Sequence, residues 1–592
     1  MPTTPSNLFD ELFDSVPKPV REVLHSALQL NGLRDLHARA RLNSQAPLSR
    51  AVLELLDVAI RVSPLETERF PRSGPLMVVA NHPFGVLDGL VLDALLLDVR
   101  RDVKILTNRL VANAEEIRDR CIPVDVFGPA ASLANLRAVR RAKEWLRDGH
   151  GLIIFPAGEV SHWRPEQLCI TDPPWSALAA RFAMQAQATI VPVHFVGANS
   201  LVFQIAGLLH PRMRTVRLPT ELFNKRGSTI EVRIGTPVAA SELAKQGSVE
   251  NATAYLRARS YMLAHRQPAG KARGKASTSE GHATPVALEG LAVADEIGEL
   301  EKRGAKILER GSYAVFGGLG AAMPVVLREI GRLRELTFRG VGEGTGKALD
   351  LDSFDAYYTH LVLWHKQKRC IAGGYRLAWT EDIVPSRGLA GLYTSTLFRF
   401  APGFFETIGP AVELGRTFVC SEFQKDYAPL MLLWQAIGRS IAARPQSPVL
   451  FGAVSISANY SAAAVELIVE YLRRRRLRPD LARLVTPRRP FRSRLTRAAD
   501  IRLAAACMSE IEDLAIPLAD IDNSCDVPIL LRQYVRLGGR IAAFSLDRNF
   551  SNVLDGLLVV DLRETTPKLL ARYMGAESAA AFLRETCGAR SA

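Results

Sequence analysis

In the stretch NHPFGVLDGL, Asn81 to Leu90, a histidine and an aspartate stand six positions apart around a glycine. A histidine can take a proton from a hydroxyl, while an aspartate bonded to its other ring nitrogen fixes the tautomer and steadies the imidazolium. His82 and Asp88 therefore read either as a base with its orienter or as polar residues of a turn. A second carboxylate, Glu159, follows Phe155, Pro156 and Gly158 in FPAGEVS, and Pro192 interrupts IVPVHF.

For such residues to meet, strand ends must deliver them. The runs PLMVVA (75–80), GLIIFP (151–156), ATIVPVHFV (188–196) and STIEVRIG (228–235) are short and β-rich, and helical stretches such as SLANLRAVRRAKEWLRDG separate them. Strands alternating with helices predict an α/β layer with a largely parallel sheet, whose ligands gather beyond the carboxyl ends of the strands. Farther on, the helical patterns VVLREIGRLRELTFRG and APLMLLWQAIGRSIAA mix with the strands AYYTHLVLW, CIAGGYRLAW, AVELGRTFV, VLFGAVSIS and LDGLLVVDL, which predicts an α+β unit. Between them, residues 266–290 exchange periodic apolar residues for Gly, Ser, Ala, Lys and Pro, the composition of a flexible linker. The expected organisation is a domain over 1–265, the linker, and a domain over 291–592.

Composition narrows the function classes. Hydrophobic residues at 48% and charged residues at 23% exclude a disordered chain and a polytopic membrane protein. The seven cysteines are scattered without a C-x-x-C pair or zinc spacing, so no metal is expected and a reducing compartment fits. The polar start MPTTPSNLFDELFD lacks the pattern of a signal peptide, which predicts a cytoplasmic location. The longest uncharged apolar run, residues 311–327, is broken by Gly and Pro and falls short of the ~20 residues of a spanning helix. It reads as a buried turn and helix start, or as a segment dipping into a membrane. The net charge of +14 is concentrated in residues 471–502, which hold 12 Arg against 2 Asp. That block is a solvated face, a contact for anionic phospholipid, or a contact for an acidic carrier protein; without interleaved aromatics it does not suit nucleic acid.

The ordered set N-H-P…D, then F-P-x-G-E, then V-P-V over about residues 50–240 resembles the glycerolipid (lysophospholipid) acyltransferase family. The resemblance implies acyl transfer from a thioester to a hydroxyl, with His82 as base, Asp88 as its partner, and Asn81, Phe155, Pro156, Gly158 and Glu159 around the substrate. Five residues separate His82 from Asp88 where the family usually has four, and Gly85 is available to absorb the extra one. Ala157 stands at the family's glutamate position, and Asp125, in CIPVDVFG, stands where an arginine normally meets the acceptor's phosphate. An acidic residue there suits an acceptor that carries positive charge instead.

Residues 295–575 resemble GNAT-type acyltransferases that make N-acyl amino acids, including the ornithine N-acyltransferases and hemolysin-like lipid acyltransferases, through RELTFRGVGEGTGKALDLDSFDAYYTHLVLW, AGGYRLAW and VELGRTFV. The resemblance carries over Arg334, Phe338, Glu343, Asp352, Asp355, Arg376, Glu413 and Arg416. An amine attacking a thioester must be neutral, so Glu343 or Glu413 could take its proton. The acceptor's carboxylate would suit Arg376 or Arg416, and a second ammonium would suit Asp352 or Asp355. Alternatively, Arg334 with Asp352 and Glu413 with Arg416 are structural ion pairs. No R-x-x-G-x-G pattern follows ELGRTFV, so acyl carrier protein, with no separate cofactor, is the expected donor.

Joined, the two halves resemble the bifunctional ornithine lipid synthases. The implied reactions are N-acylation of ornithine with a 3-hydroxyacyl chain, then O-acylation of the lyso-ornithine lipid at that hydroxyl, on the cytoplasmic face of the inner membrane. Two rivals stand beside this: a lysophospholipid O-acyltransferase whose second domain only binds acyl chains or carrier protein, and a lytic, membrane-binding protein without enzymatic activity.

Overall fold

The computed structural model describes residues 29–42, 46–108, 115–124, 133–266, 290–493, 495, 498–522 and 526–588. The chain divides into two compact units, Met1–Arg266 with Ala499–Cys507, and Gln267–Ala498 with Met508–Ala592. The linker expected between them lies outside the described residues except at its two ends, as does Asp125.

The first unit is built on β1 (Ala59–Arg61), β2 (Leu76–Ala80), β3 (Val103–Asn108), β4 (Cys121–Val124), β5 (Gly151–Ile154), a small hairpin β6 (His162–Arg164) and β7 (Cys169–Thr171), β8 (Thr189–Val196) and β9 (Thr229–Ile234). Seven of them form one sheet in the order β1-β9-β8-β2-β5-β3-β4. All neighbours are parallel except β8 and β9. Every residue of LMVVA in β2 is buried, as a central strand covered on both faces requires. Leu76, Val78 and Ala80 join one core and Met77 and Val79 the other, so the period of two divides a continuous apolar run between two layers. Three helices matter for the site: α1 (Val86–Leu96), α2 (Leu201–Leu209) and α3 (Pro211–Phe223).

The second unit is an eight-stranded sheet of β10 (Lys306–Arg310), β11 (Tyr313–Leu319), β12 (Thr359–His365), β13 (Cys370–Trp379), β15 (Ala411–Val419), β16 (Val449–Ile456), β18 (Arg540–Asp547) and β19 (Val553–Asp561). A separate pair joins β14 (Phe398–Phe400) to β17 (Val485–Pro487). The order is β10-β11-β12-β13-β15-β16-β19-β18, and the one parallel neighbour pair, β15 with β16, is joined only over Ala411–Glu413 and Val449–Phe451. Helix α4 (Pro324–Gly340) buries Ile330 and Phe338 with Phe316 and Val362 of the sheet, and α5 (Ala428–Ala442) buries Leu432, Leu433 and Trp434. Residues 311–327 resolve into β11, a short 3-10 turn and the first residues of α4, with Val315, Phe316 and Met323 buried, which is the buried reading of that run. Among the described residues no helix is long and apolar enough to cross a membrane.

Candidate active sites

In the first unit the chain leaves β2 at Ala80 and turns through residues 81–85 into α1. Gly85 sits at φ 77°, a region open to glycine, and its Cβ position would lie 3.1 Å from the Leu218 side chain. That turn places Asp88 at the third position of α1, where Oδ2 accepts from the backbone amides of Phe84 at 2.9 Å and Gly85 at 3.1 Å. The same oxygen meets His82 Nδ1 at 2.9 Å. Burial pushes the Asp88 carboxyl up, against the pull of His82 and the two amides. An ionised Asp88 only accepts, so it holds the proton on Nδ1 and leaves the Nε2 lone pair as the base. The imidazole stacks on Phe155, with centroids 4.1 Å apart, so the residue after β5 fixes the ring plane.

A carboxylate overlooked in the sequence supports this loop. Asp172, buried, accepts from the His82 backbone amide at 3.2 Å and from Trp175 Nε1 at 2.8 Å, and its Oδ1 also takes the Ser161 hydroxyl. Asn81 has another task than substrate contact. Its amide oxygen accepts from the Phe195 amide at 2.7 Å and its nitrogen donates to the Phe195 carbonyl at 3.0 Å, so both ends are spent joining the end of β2 to β8. Pro156 is buried and its carbonyl accepts from Ser176 at 2.8 Å. Gly158, at φ 68°, closes the turn after β5, and Glu159 makes an ion pair with Arg214 of α3 at 3.2 Å.

In the second unit Arg334 of α4 donates to Asp350 and Asp355, both at 2.8 Å. Arg376 of β13 donates to Asp352 at 2.7 Å and Asp355 at 2.9 Å. Arg416 lies 3.6 Å from Asp350 and 3.9 Å from Asp352, and its guanidinium covers the rings of Tyr393 and Phe550. Burial would raise the Asp350 and Asp355 carboxyls, yet the neighbouring arginines hold both below their ordinary range. Arg334 thus pairs with Asp355 and with Asp350, a residue the sequence did not single out, rather than with Asp352. The register between β13 and β15 slips after Gly374, and Arg416 sits there at φ 50°. The bulge re-aims its side chain.

The two candidate bases differ. Glu413 is buried and takes the Thr394 amide at 2.7 Å, the Tyr393 amide at 3.0 Å and the Tyr358 hydroxyl. With three donors on it, Glu413 is corrected from a base to a bracket that holds the 393–394 turn against β15, and its expected ion pair with Arg416 is replaced by these bonds. Glu343 instead stands on the loop Gly342–Lys347, with Gly342 at φ 77°. Glu335 accepts from Thr345 and Gly346, Ser551 donates to the Gly344 carbonyl at 2.7 Å, and Asn459 donates to the Val341 carbonyl at 2.8 Å. On this pinned loop, burial pushes the Glu343 carboxyl up to about 7 against the pull of Arg416. Asp555, the third residue of β19, also rises to about 7 through burial and the nearby charges of Asp547 and Glu343. Asp547 accepts from the Tyr393 hydroxyl at 3.0 Å.

Residues 51–270 match the family described as Acyltransferase, and residues 333–435 match the acetyltransferase (GNAT) domain. A glycine N(alpha)-acyltransferase of Bacteroides thetaiotaomicron is 31% identical over 241 residues, which are 38% of this chain and 70% of that protein. The chain belongs to this acyltransferase family. The glycine N(alpha)-acyltransferase of Phocaeicola vulgatus is 34% identical over 28% of this chain, which spans about half, 54%, of that relative. A lyso-glycine lipid O-acyltransferase of B. thetaiotaomicron is 29% identical over 32% of this chain and 69% of its own length. Among solved structures, the 1-acyl-sn-glycerophosphate acyltransferase of Thermotoga maritima is 15% identical with a TM-score of 0.24, over 40% of this chain and 93% of that one. The chain is an acyltransferase that joins an α/β unit matching the Acyltransferase family to a GNAT-type α+β unit, with relatives named for N-acyl and for lysolipid O-acyl transfer.

Within this acyltransferase six of the twelve arginines at 471–502 make the following contacts. Arg473 and Arg474 pair with Glu470, Arg476 with Glu510 and Arg478 with Asp480, while Arg475 and Arg488 donate to backbone carbonyls. These bonds favour the reading of a solvated, structural face.

Proposed function

We propose that the enzyme makes an amino-acid lipid by two acyl transfers, with ornithine as the acceptor and acyl carrier protein as the donor. In the second unit the α-amine of ornithine attacks the thioester carbonyl of a 3-hydroxyacyl chain, the C–N bond forms, the C–S bond breaks, and Glu343 takes the amine proton that then goes to the departing thiolate. In the first unit the hydroxyl of that chain attacks a second thioester. His82 Nε2 takes the hydroxyl proton and returns it to the leaving sulfur. Both steps would occur on the cytoplasmic face of the inner membrane, with the protein held there peripherally.

The observation that supports ornithine is the surplus of carboxyl groups before Arg416: Glu343 and Asp555 both reach about 7, each raised by burial without enough compensating cation. Arg416 suits the acceptor's carboxylate, and the side-chain ammonium of ornithine suits the remaining acids. A second reading, glycine as acceptor, is favoured by the names of the relatives. Expression in a bacterium that lacks amino-acid lipids, followed by lipid mass spectrometry, distinguishes them. An N-acylated and O-acylated ornithine is expected; a glycine lipid alone supports the second reading, and neither product sinks both.

A further inference from the structure

We propose that the outward face of α2, Leu201–Leu209, docks the first unit on an anionic lipid bilayer, a surface that rests on the lipid substrate proposed above. Leu201 is 77% exposed, Val202 56%, Ile205 58%, Leu208 59% and Leu209 82%. At 100° per residue these five fall within an arc of about 120°. The opposite face is anchored in the unit: Phe203 and Gln204 are buried, Gln204 Oε1 accepts from the Trp163 amide at 2.8 Å, and Ser200 caps the helix while donating to Glu221 at 2.6 Å. The helix thus buries one side and leaves the other, apolar side exposed among the described residues of the unit. The ridge continues to Met213, which is 45% exposed.

A contiguous apolar stripe of this kind on a soluble fold marks an interaction surface. The charge next to it points to anionic lipid. Arg212, Arg214 and Arg217 follow it in the sequence, and Arg214 and Arg217 share their charge with Glu159 at 3.2 Å and Glu221 at 3.9 Å; an apolar ridge with arginines beside it suits a bilayer interface. Nine residues of helix reach only about 14 Å, too short to span a ~30 Å hydrocarbon core but long enough to lie along its boundary. The surface is also continuous with the chemistry. Arg214 of α3 pairs with Glu159 at 3.2 Å, and Leu218 of α3 closes on Gly85 in the His82 turn. Contact through α2 would bring the bilayer beside the imidazole, where a lyso-lipid held in the leaflet could present its hydroxyl.

The test uses the full-length protein and vesicles of phosphatidylglycerol with phosphatidylethanolamine. Replacing three exposed residues together, Leu201→Gln, Ile205→Gln and Leu209→Gln, is expected to lower vesicle partitioning at least tenfold, while thermal melting and O-acylation of a water-soluble, short-chain acceptor stay unchanged. Leu209→Trp, which keeps the face apolar, should show a blue shift of the new indole emission on adding vesicles. Undiminished partitioning of the triple variant, or no blue shift, overturns the proposal. So does a dimer that the triple variant splits without loss of vesicle binding, since the face would then join two copies. A wild-type protein that acylates no lyso-lipid under any condition would instead overturn the lipid-substrate reading, independently of where the protein binds vesicles.

Discussion

His82 Nδ1 and Asp88 Oδ2 are 2.9 Å apart, and the oxygen that orients the histidine is the one that caps the helix following it. Catalytic geometry and helix initiation are therefore one interaction. The five-residue interval between the two residues is absorbed at Gly85, whose positive φ lets the chain enter α1 with Asp88 facing back toward the imidazole.

Replacing Asp88 by Asn tests that coupling. The carboxamide can donate to Nδ1 and so favour the tautomer with its proton on Nε2, which cannot act as a base. O-acylation should fall by on the order of 10²–10⁴, as with His82→Ala, and mass spectrometry should show the N-acylated lyso-lipid accumulating. Unchanged diacylated product in His82→Ala would remove the histidine from the chemistry.

Glu343 has to be ionised to accept the amine proton, and burial holds its carboxyl near 7. N-acylation should therefore rise with pH through about 7, and Glu343→Gln should lose both the rate and that limb of the profile. Loss of both lipid species in cells is expected. A profile that keeps its inflection in Glu343→Gln would assign the titration elsewhere.

Glu413→Gln should act through stability rather than through the pH profile. The amide would place a donor among the Tyr358 hydroxyl and the Tyr393 and Thr394 amides. Leaving such buried donors unpaired costs about 1–3 kcal/mol each, so a fall of several degrees in Tm is expected by calorimetry. An unchanged Tm combined with a displaced pH profile would return Glu413 to the role of base.

Asp555 gives a stability signature of its own. Its folded carboxyl titrates at about 7, above its ordinary 3.8, so over the intervening range the folded protein binds a proton that the unfolded chain has lost. Stability should be greatest at the acid side of that range and fall as pH rises toward 7. Asp555→Asn should flatten the dependence, read as a smaller difference in Tm between pH 5 and pH 8, and saturating ornithine should oppose the loss in the wild-type protein.

The strands expected at 75–80, 151–156, 188–196 and 228–235 coincide with β2, β5, β8 and β9 to within two residues at either end, because β2, β5 and β8 are buried, mostly apolar runs and β9 alternates buried with part-exposed residues. Strand β3, VKILTN, was missed because it is partly exposed beyond Val103 and carries polar residues. Strand β11 was hidden within the glycine-rich run that precedes α4. Asp555 offered a signal that went unused: a carboxylate amid the apolar residues of LDGLLVVDL is costly to bury and marks a site. No local pattern pointed to Tyr393, whose hydroxyl meets Asp547 of β18, or to Asp350, which meets Arg334 of α4 and Arg416 of β15.

Periodicity and strand-end composition are local properties, and the two fold classes, the order of the motifs and the residue types able to carry acyl transfer could be read from them. Tertiary structure alone decided which of those residues are free to react. Glu343 and Glu413 are the same side chain, but Glu413 receives three hydrogen bonds from elements brought in from elsewhere in the chain and Glu343 receives burial beside a single arginine. A carboxylate's proton affinity depends on what surrounds it in space, and those neighbours are fixed only when the sheet closes.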